Sequence, residues 1–121
     1  MFVFTAEGAK KEINKLLDRI DALEPRLDKL RSISREAEML GLPDDGGGQF
    51  VDQITNGATN MEEDLRRAKL EVMSDPTRWR EVMPLLKVCK EEMASAEKVL
   101  NQIQTSVRKA EARVARDFGR S

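Results

Sequence analysis

Apolar side chains return along this chain at alternating steps of three and four residues, in three separate stretches. That spacing keeps one face of a helix apolar and is the pattern of coiled coils and slender bundles. The first stretch is Ile13, Leu16, Ile20, Leu23, Leu27 and Leu30, after which the phase shifts to Ile33, Ala37 and Leu40. It predicts a helix over about 5–40, with Thr5 as N-cap, because its hydroxyl can accept from an early backbone N–H. Pro25 lies inside this helix on the outer face, and the seam keeps its phase across it, so a kink is expected rather than a stop. Residues 41–49, GLPDDGGGQ, place a glycine after the last periodic residue, then a proline, then turn formers. They read as a linker.

The second stretch sets Val51, Ala58, Leu65 and Val72 on one heptad position and Ile54, Met61 and Ala68 on the other, predicting a helix over about 50–74. Gly57 weakens it by roughly 1 kcal/mol relative to alanine, and small residues at 57 and 58 would let a neighbouring helix approach closely. Asp75 and Pro76 mark the next boundary, an N-cap followed by a proline at the first helical position. The third stretch is the longest: Trp79, Val82, Leu86, Cys89, Met93, Ala96, Leu100, Ile103, Val107, Ala110 and Val114. It predicts a helix over about 76–118, with Pro84 on its outer side. Together these give one all-α domain, residues 1–121. The expected fold is an elongated three-helix up-down-up bundle, or antiparallel coiled coil, with a long C-terminal helix.

The lengths raise a question of cover. At about 1.5 Å per residue the second helix spans roughly 36 Å and the third roughly 64 Å. A tight turn at Pro76 would exhaust the second helix near residue 101, and a tight linker would end the first at the same level. Residues 102–118 would then project beyond both neighbours. An apolar stripe of that length does not stay bare in water. Helix one could slide along helix three, a second copy could cover the stripe, or a different protein could lay a helix on it. The candidate partner-binding residues are therefore Leu100, Ile103, Val107, Ala110, Val114 and Phe118, flanked by Arg108, Arg113 and Arg116.

Charge adds an orientation. Net charge is −1 over 21 basic and 22 acidic residues, which gives no global pull toward nucleic acid or membrane. Residues 1–41 carry eight charges of each sign, 42–75 three positive and eight negative, and 76–121 ten positive and six negative. An acidic second helix beside a more basic third favours their antiparallel packing, modestly and subject to salt. The single cysteine, Cys89, cannot close an internal disulfide and fits a reducing, cytoplasmic setting. The start MFVFTAEGAKKE lacks a basic segment followed by an apolar run, so no secretory signal is expected. No run approaches the roughly 18 apolar residues a bilayer span needs, so stable membrane insertion is not expected.

The inventory for chemistry is thin. There is no histidine and no tyrosine, which removes the common general base and metal ligand. Zinc needs several Cys or His ligands, and this chain offers one. Cys89 lies on the apolar seam and reads as core, and adjacent Lys90 does not share its face. Gly46, Gly47 and Gly48 precede a helix, but no Lys-Ser/Thr follows and no strand precedes, so they read as linker rather than phosphate loop. Glu62, Glu63, Asp64, Glu91 and Glu92 read as solvated faces, because dinuclear sites on bundle helices pair Glu with His. The basic end of helix three reads as favourable charge at a helix C-terminus, or as a docking patch. No aromatics interleave there to stack on bases, so nucleic acid is not an expected partner. Trp79 is expected to plug the bundle end beside Val72 and Met73. Met1-Phe2-Val3-Phe4 could fold over that end or anchor to a partner.

Two resemblances stand beside this reading. Residues 19–31, RIDALEPRLDKLR, resemble the first helix of AroQ-type chorismate mutases, which would imply a buried site lined by Arg19, Arg31, a lysine and further arginines. The stretch MLGLPDDGGG, where the lysine belongs, departs from that pattern. The order of three helices, with Asp75-Pro76 and Trp79 at the second turn, is similar to the N-terminal three-helix domains of syntaxin-like SNARE proteins, but no SNARE segment or anchor follows. The chain is assigned to neither family. The leading expectation is a non-catalytic helical interaction module, an assembly or adaptor element that binds a protein partner or a second copy through helix three and has no cofactor or metal. A chaperone-like or regulatory bundle holding a client or SNARE-like helix is the alternative, and a mutase-like enzyme the third.

Overall fold

The computed structural model describes residues 5–39 and 47–119, with the side chains of 37, 38, 47–49, 114, 118 and 119 excepted. The described elements are all helical: α1 (Ala6–Met39), α2 (Gly47–Ser74), a single 3-10 turn (Pro76–Arg78) and α3 (Trp79–Gly119). The chain is an all-α helical bundle.

α1 and the 3-10 turn that leads into α3 start where the sequence supplies a partner for orphan backbone groups. The Gly8 N–H donates to Thr5 Oγ1 at 3.1 Å, and the Ala9 N–H to the Thr5 carbonyl at 2.9 Å. Asp75 Oδ1 accepts from both the backbone N–H and the hydroxyl of Thr77, at 3.1 and 2.7 Å. Pro76 follows at the position where its missing N–H costs nothing. These contacts hold the Asp75 carboxyl below its ordinary range, the Thr77 side chain first and its backbone next. α1 runs unbroken through Pro25. α2 departs from expectation by starting at Gly47 rather than near residue 50. The extra turn brings the i−4 carbonyl of residue 47 within reach of the N–H of Val51, whose side chain is buried.

The seams meet in one core. Ile13, Leu16, Ile20, Leu23, Leu27 and Leu30 of α1 are all buried, as are Val51, Ala58, Met61, Leu65, Ala68 and Val72 of α2. From α3, Val82, Leu86, Cys89, Met93 and Leu100 join them. Burying such a side chain stabilises by about 1.5–3 kcal/mol, whereas each helix alone would lack any surface on which to bury its stripe.

Polar contacts fix the directions. Glu12 pairs with Lys90 at 2.8 Å, Arg19 with Glu97, and Arg26 donates to Gln104 and Asn101, both at 2.7 Å. Glu12, Arg19 and Arg26 each precede a seam residue, and Lys90, Glu97 and Gln104 each follow one. Both steps between these three pairs advance by one heptad on each helix, with a constant separation of 78 residues. This is the flanking-position ladder of parallel coiled coils, so α1 and α3 run in the same direction. Arg31 donates to Thr55 Oγ1, and the α1–α2 groove runs from residues 20 and 62 to residues 31 and 55. α2 therefore runs opposite to α1.

That register corrects the expected overhang. After Arg26 touches Gln104, α1 has 13 residues left before Met39 and α3 has 15 before Gly119. At that register α1 accompanies α3 past Gln104, so Ile103 and Val107 are not left bare, whereas the described side chains of α3 beyond Val107 are exposed. α1 lies further along α3 than a tight linker would place it. The charge expectation also shifts. Among the described residues the ion pairs between helices join α1 to α3, and none joins α2 to α3.

Candidate functional site

The nine residues expected to bind a partner fall into different environments. Leu100 is 0% exposed and belongs to the bundle's own core. Ile103 and Val107 are half-buried and pack against that core. The cover expected from a partner is thus supplied at these positions by the chain itself. Ala110 continues the seam but is exposed, as are Arg108, Lys109, Glu111 and Arg113, and then Arg116 and Asp117. The side chains of Val114 and Phe118 lie outside the described residues, as does the whole Met1–Phe4 segment.

The bundle therefore closes tightly up to Leu100, half-closes to Val107 and opens beyond it. The helices that share this end show the same transition. Ile33 packs on the core, whereas Met39 at the end of α1 is 87% exposed and Phe50 near the start of α2 is 49% exposed. Among the described residues nothing covers these apolar side chains. The last turns of α3 carry exposed Arg108, Lys109, Arg113 and Arg116 against Glu111 and Asp117.

A second concavity lies on the face made by α1 and α2 alone. It is a groove of about 230 Å³ whose floor is Ile20, Leu27 and Ala58 and whose walls carry Asp21, Glu24 and Glu62. Ala58 occupies a seam position and is buried with Ile20 and Leu27. Glu62 pairs with Arg66 at 2.7 Å. Arg31, at one end, is held by Asp28 at 2.7 Å and by Thr55. Among the described residues Asp21 and Glu24 form no ion pair.

The chain matches no family model, no curated protein and no solved structure. The two resemblances in the sequence gain no support from relatives. Within this fold, Arg19 is engaged by Glu97 and Arg31 by Asp28 and Thr55, so both guanidinium groups tie elements of the bundle together.

Cys89 is buried on the seam. Burial first, and then the negative charges of Glu92 and Asp64, push its thiol up from the ordinary value, the reverse of what activates a cysteine nucleophile. Trp79 is half-buried against the core with the Arg80 guanidinium 5.2 Å from its ring centroid. Met73, expected beside it in the plug, is 58% exposed. No helix among the described residues is long and apolar enough to cross a membrane.

Sequence reasoning missed both the α1–α3 ladder and the groove. The ladder was readable: Glu12, Arg19 and Arg26 recur at sevenfold spacing beside one seam, and Lys90, Glu97 and Gln104 beside another. The groove left one trace, an alanine at 58 among larger seam residues.

Proposed function

We infer that this chain is a non-catalytic helical interaction module, an assembly or adaptor element that engages a partner helix at the open end of the bundle. The observation that carries this reading is the mismatch on α3. Its heptad phase continues in the sequence through Ala110 to Val114, while among the described residues Val107 is the last α3 side chain packed against the core and Ala110 is exposed. Exposed Met39 and Phe50 at the same end enlarge the apolar area. An amphipathic helix laid against this end would bury it, in the manner of helix-in-groove recognition.

The charges choose between kinds of partner. Residues 108–119 carry four bases and two acids. A second copy packed on the same segment would bring like charges together, which costs affinity and lowers the association rate. An acidic amphipathic helix suits the site better. Arg108, Arg113 and Arg116 would then set orientation and on-rate, and Ala110 and Val114 the buried contact.

Sedimentation over a hundredfold range of protein concentration, with and without a glutamate-flanked leucine-heptad peptide, tests this. The expected result is a monomer alone and a one-to-one complex with the peptide, weakened by salt and by Arg108→Glu with Arg113→Glu. A chain that ignores the peptide, or binds it equally after both reversals, would refute the reading.

A further inference from the structure

We propose that the segment Met1-Phe2-Val3-Phe4 is the occupant of the apolar surface at the end of the bundle where α1 and α3 begin, and that it closes this end. Accessible apolar surface is present there. Met73, on the last turn of α2, is 58% exposed, and Ala6, Trp79 and Met83 are half-buried against the core. The register of α1 on α3 leaves a seat beside them. Glu12, Arg19 and Arg26 meet Lys90, Glu97 and Gln104 at an offset of 78 residues. Carried back, that offset sets Thr5 level with Met83 and residues 1–4 level with residues 79–82 of α3. Ala6, the first residue of α1, is level with Pro84, so α3 starts roughly 7 Å before α1 reaches its side. No helical residue of α1 is therefore level with Trp79. The α1 seam also starts small: stepping back from Ile13 it meets Ala9 and then Ala6.

The chemistry of the segment fits that seat. It carries no charged side chain and holds two of the four phenylalanines of the chain. Phe4 directly precedes Thr5, whose Oγ1 accepts from the Gly8 N–H and so caps α1. An apolar residue just before an N-cap packs toward the fourth helical residue and fixes the angle at which the chain enters the helix. That fourth residue is Ala9, which is 1% exposed and belongs to the core. The segment is thereby directed at the core and not into solvent. Four residues reach at most about 14 Å, more than the roughly 6 Å along the axis between the levels of Thr5 and Trp79. A phenylalanine ring set edge-to-face on an indole gains beyond the area it buries. Because it is tethered beside its seat, the segment is favoured over a second copy or a separate protein, which would lose translational freedom on binding.

The test uses the full chain and the fluorescence of Trp79, which is its single tryptophan in a chain without tyrosine. Phe2→Ser with Phe4→Ser should shift the emission to the red and raise its quenching by acrylamide, with helicity unchanged. Phe2→Leu with Phe4→Leu, which keeps apolar bulk, should retain most of the shielding. Should the serine pair disturb folding, the unaltered chain gives a second measurement. Nuclear Overhauser contacts between the Phe2 or Phe4 ring and the Trp79 indole are expected, and in a mixture of labelled and unlabelled chains they should arise within one molecule. The proposal does not rest on the partner reading of the α3 end, which concerns the opposite end of the bundle, so the two can fail separately. Unchanged emission and quenching in a folded serine variant, absence of those ring contacts, or contacts only between copies would each overturn it.

Discussion

A graded truncation along α3 should report where the bundle stops burying its own seam. Leu100 is fully buried, so Leu100→Ala loses the transferred methylenes and leaves a cavity, a cost of about 2–5 kcal/mol. Val107 is half-buried. Val107→Ala removes two methyl groups worth roughly 0.8 kcal/mol each when fully buried, so about 0.8 kcal/mol in total at half burial. Ala110 is exposed, and Ala110→Ser should stay within about 0.5 kcal/mol. For a chain of 121 residues the unfolding entropy near the midpoint is about 0.25 kcal/mol per degree. The three substitutions should therefore lower Tm by roughly 8–20, 3 and at most 2 °C. Circular dichroism melts, with urea titrations alongside, read these values. Repeating them at tenfold higher protein concentration should leave every midpoint in place, because the account assigns no stability to self-association. If Val107→Ala costs as much as Leu100→Ala, or if the midpoints climb with concentration, the seam is buried by something other than this chain's own helices.

Other outcomes follow from single sites. Gly57 sits inside α2 with nothing within 4 Å of where a Cβ would stand, so Gly57→Ala should raise stability by about 0.5–1 kcal/mol in urea titration. The open space there also means that no neighbouring helix of this chain exploits the glycine for close approach. Glu12 has its pKa lowered, chiefly by the Lys90 hydrogen bond. Its contribution is complete above the ordinary carboxylate range and fades as pH falls through the lowered folded-state value. Glu12→Gln should flatten the acid limb of the stability curve by no more than about 0.5 kcal/mol, since both side chains are partly solvated. Cys89, buried with its thiol pushed up, should react with a thiol reagent far more slowly in the native than in the unfolded chain. Equal rates would place it at the surface.

Much of the fold was legible because local signals and burial pattern agree. Every seam residue from Ile13 to Leu30 is buried, and the caps at Thr5 and Asp75 stand where their side-chain chemistry puts them. What escaped was relative register, which depends on how far one helix slides along another. Seam periodicity repeats every heptad and is blind to a slide by whole heptads. The flanking ladder of Glu12, Arg19 and Arg26 breaks that degeneracy, because its partners Lys90, Glu97 and Gln104 match at one offset. Overlooking it led to an overhang from residue 102. With Val107 packed on the core, Val107→Asp should destabilise the bundle itself. The candidate site was legible only as a direction of approach. Its apolar stripe is readable in the sequence, but the point at which internal cover ends follows from packing.

The central claim is that α3 is sheltered by its own bundle to Val107 and offers its remaining turns to a partner. Residue-resolved amide hydrogen exchange on the monomeric chain tests it most directly. The account predicts strong protection from Leu86 to about Ile103, a decline across Val107, and little protection from Arg113 onward until an acidic helical peptide is added. Protection that continues undiminished to residue 119 in the monomer without peptide, or that collapses before Leu100, would contradict it.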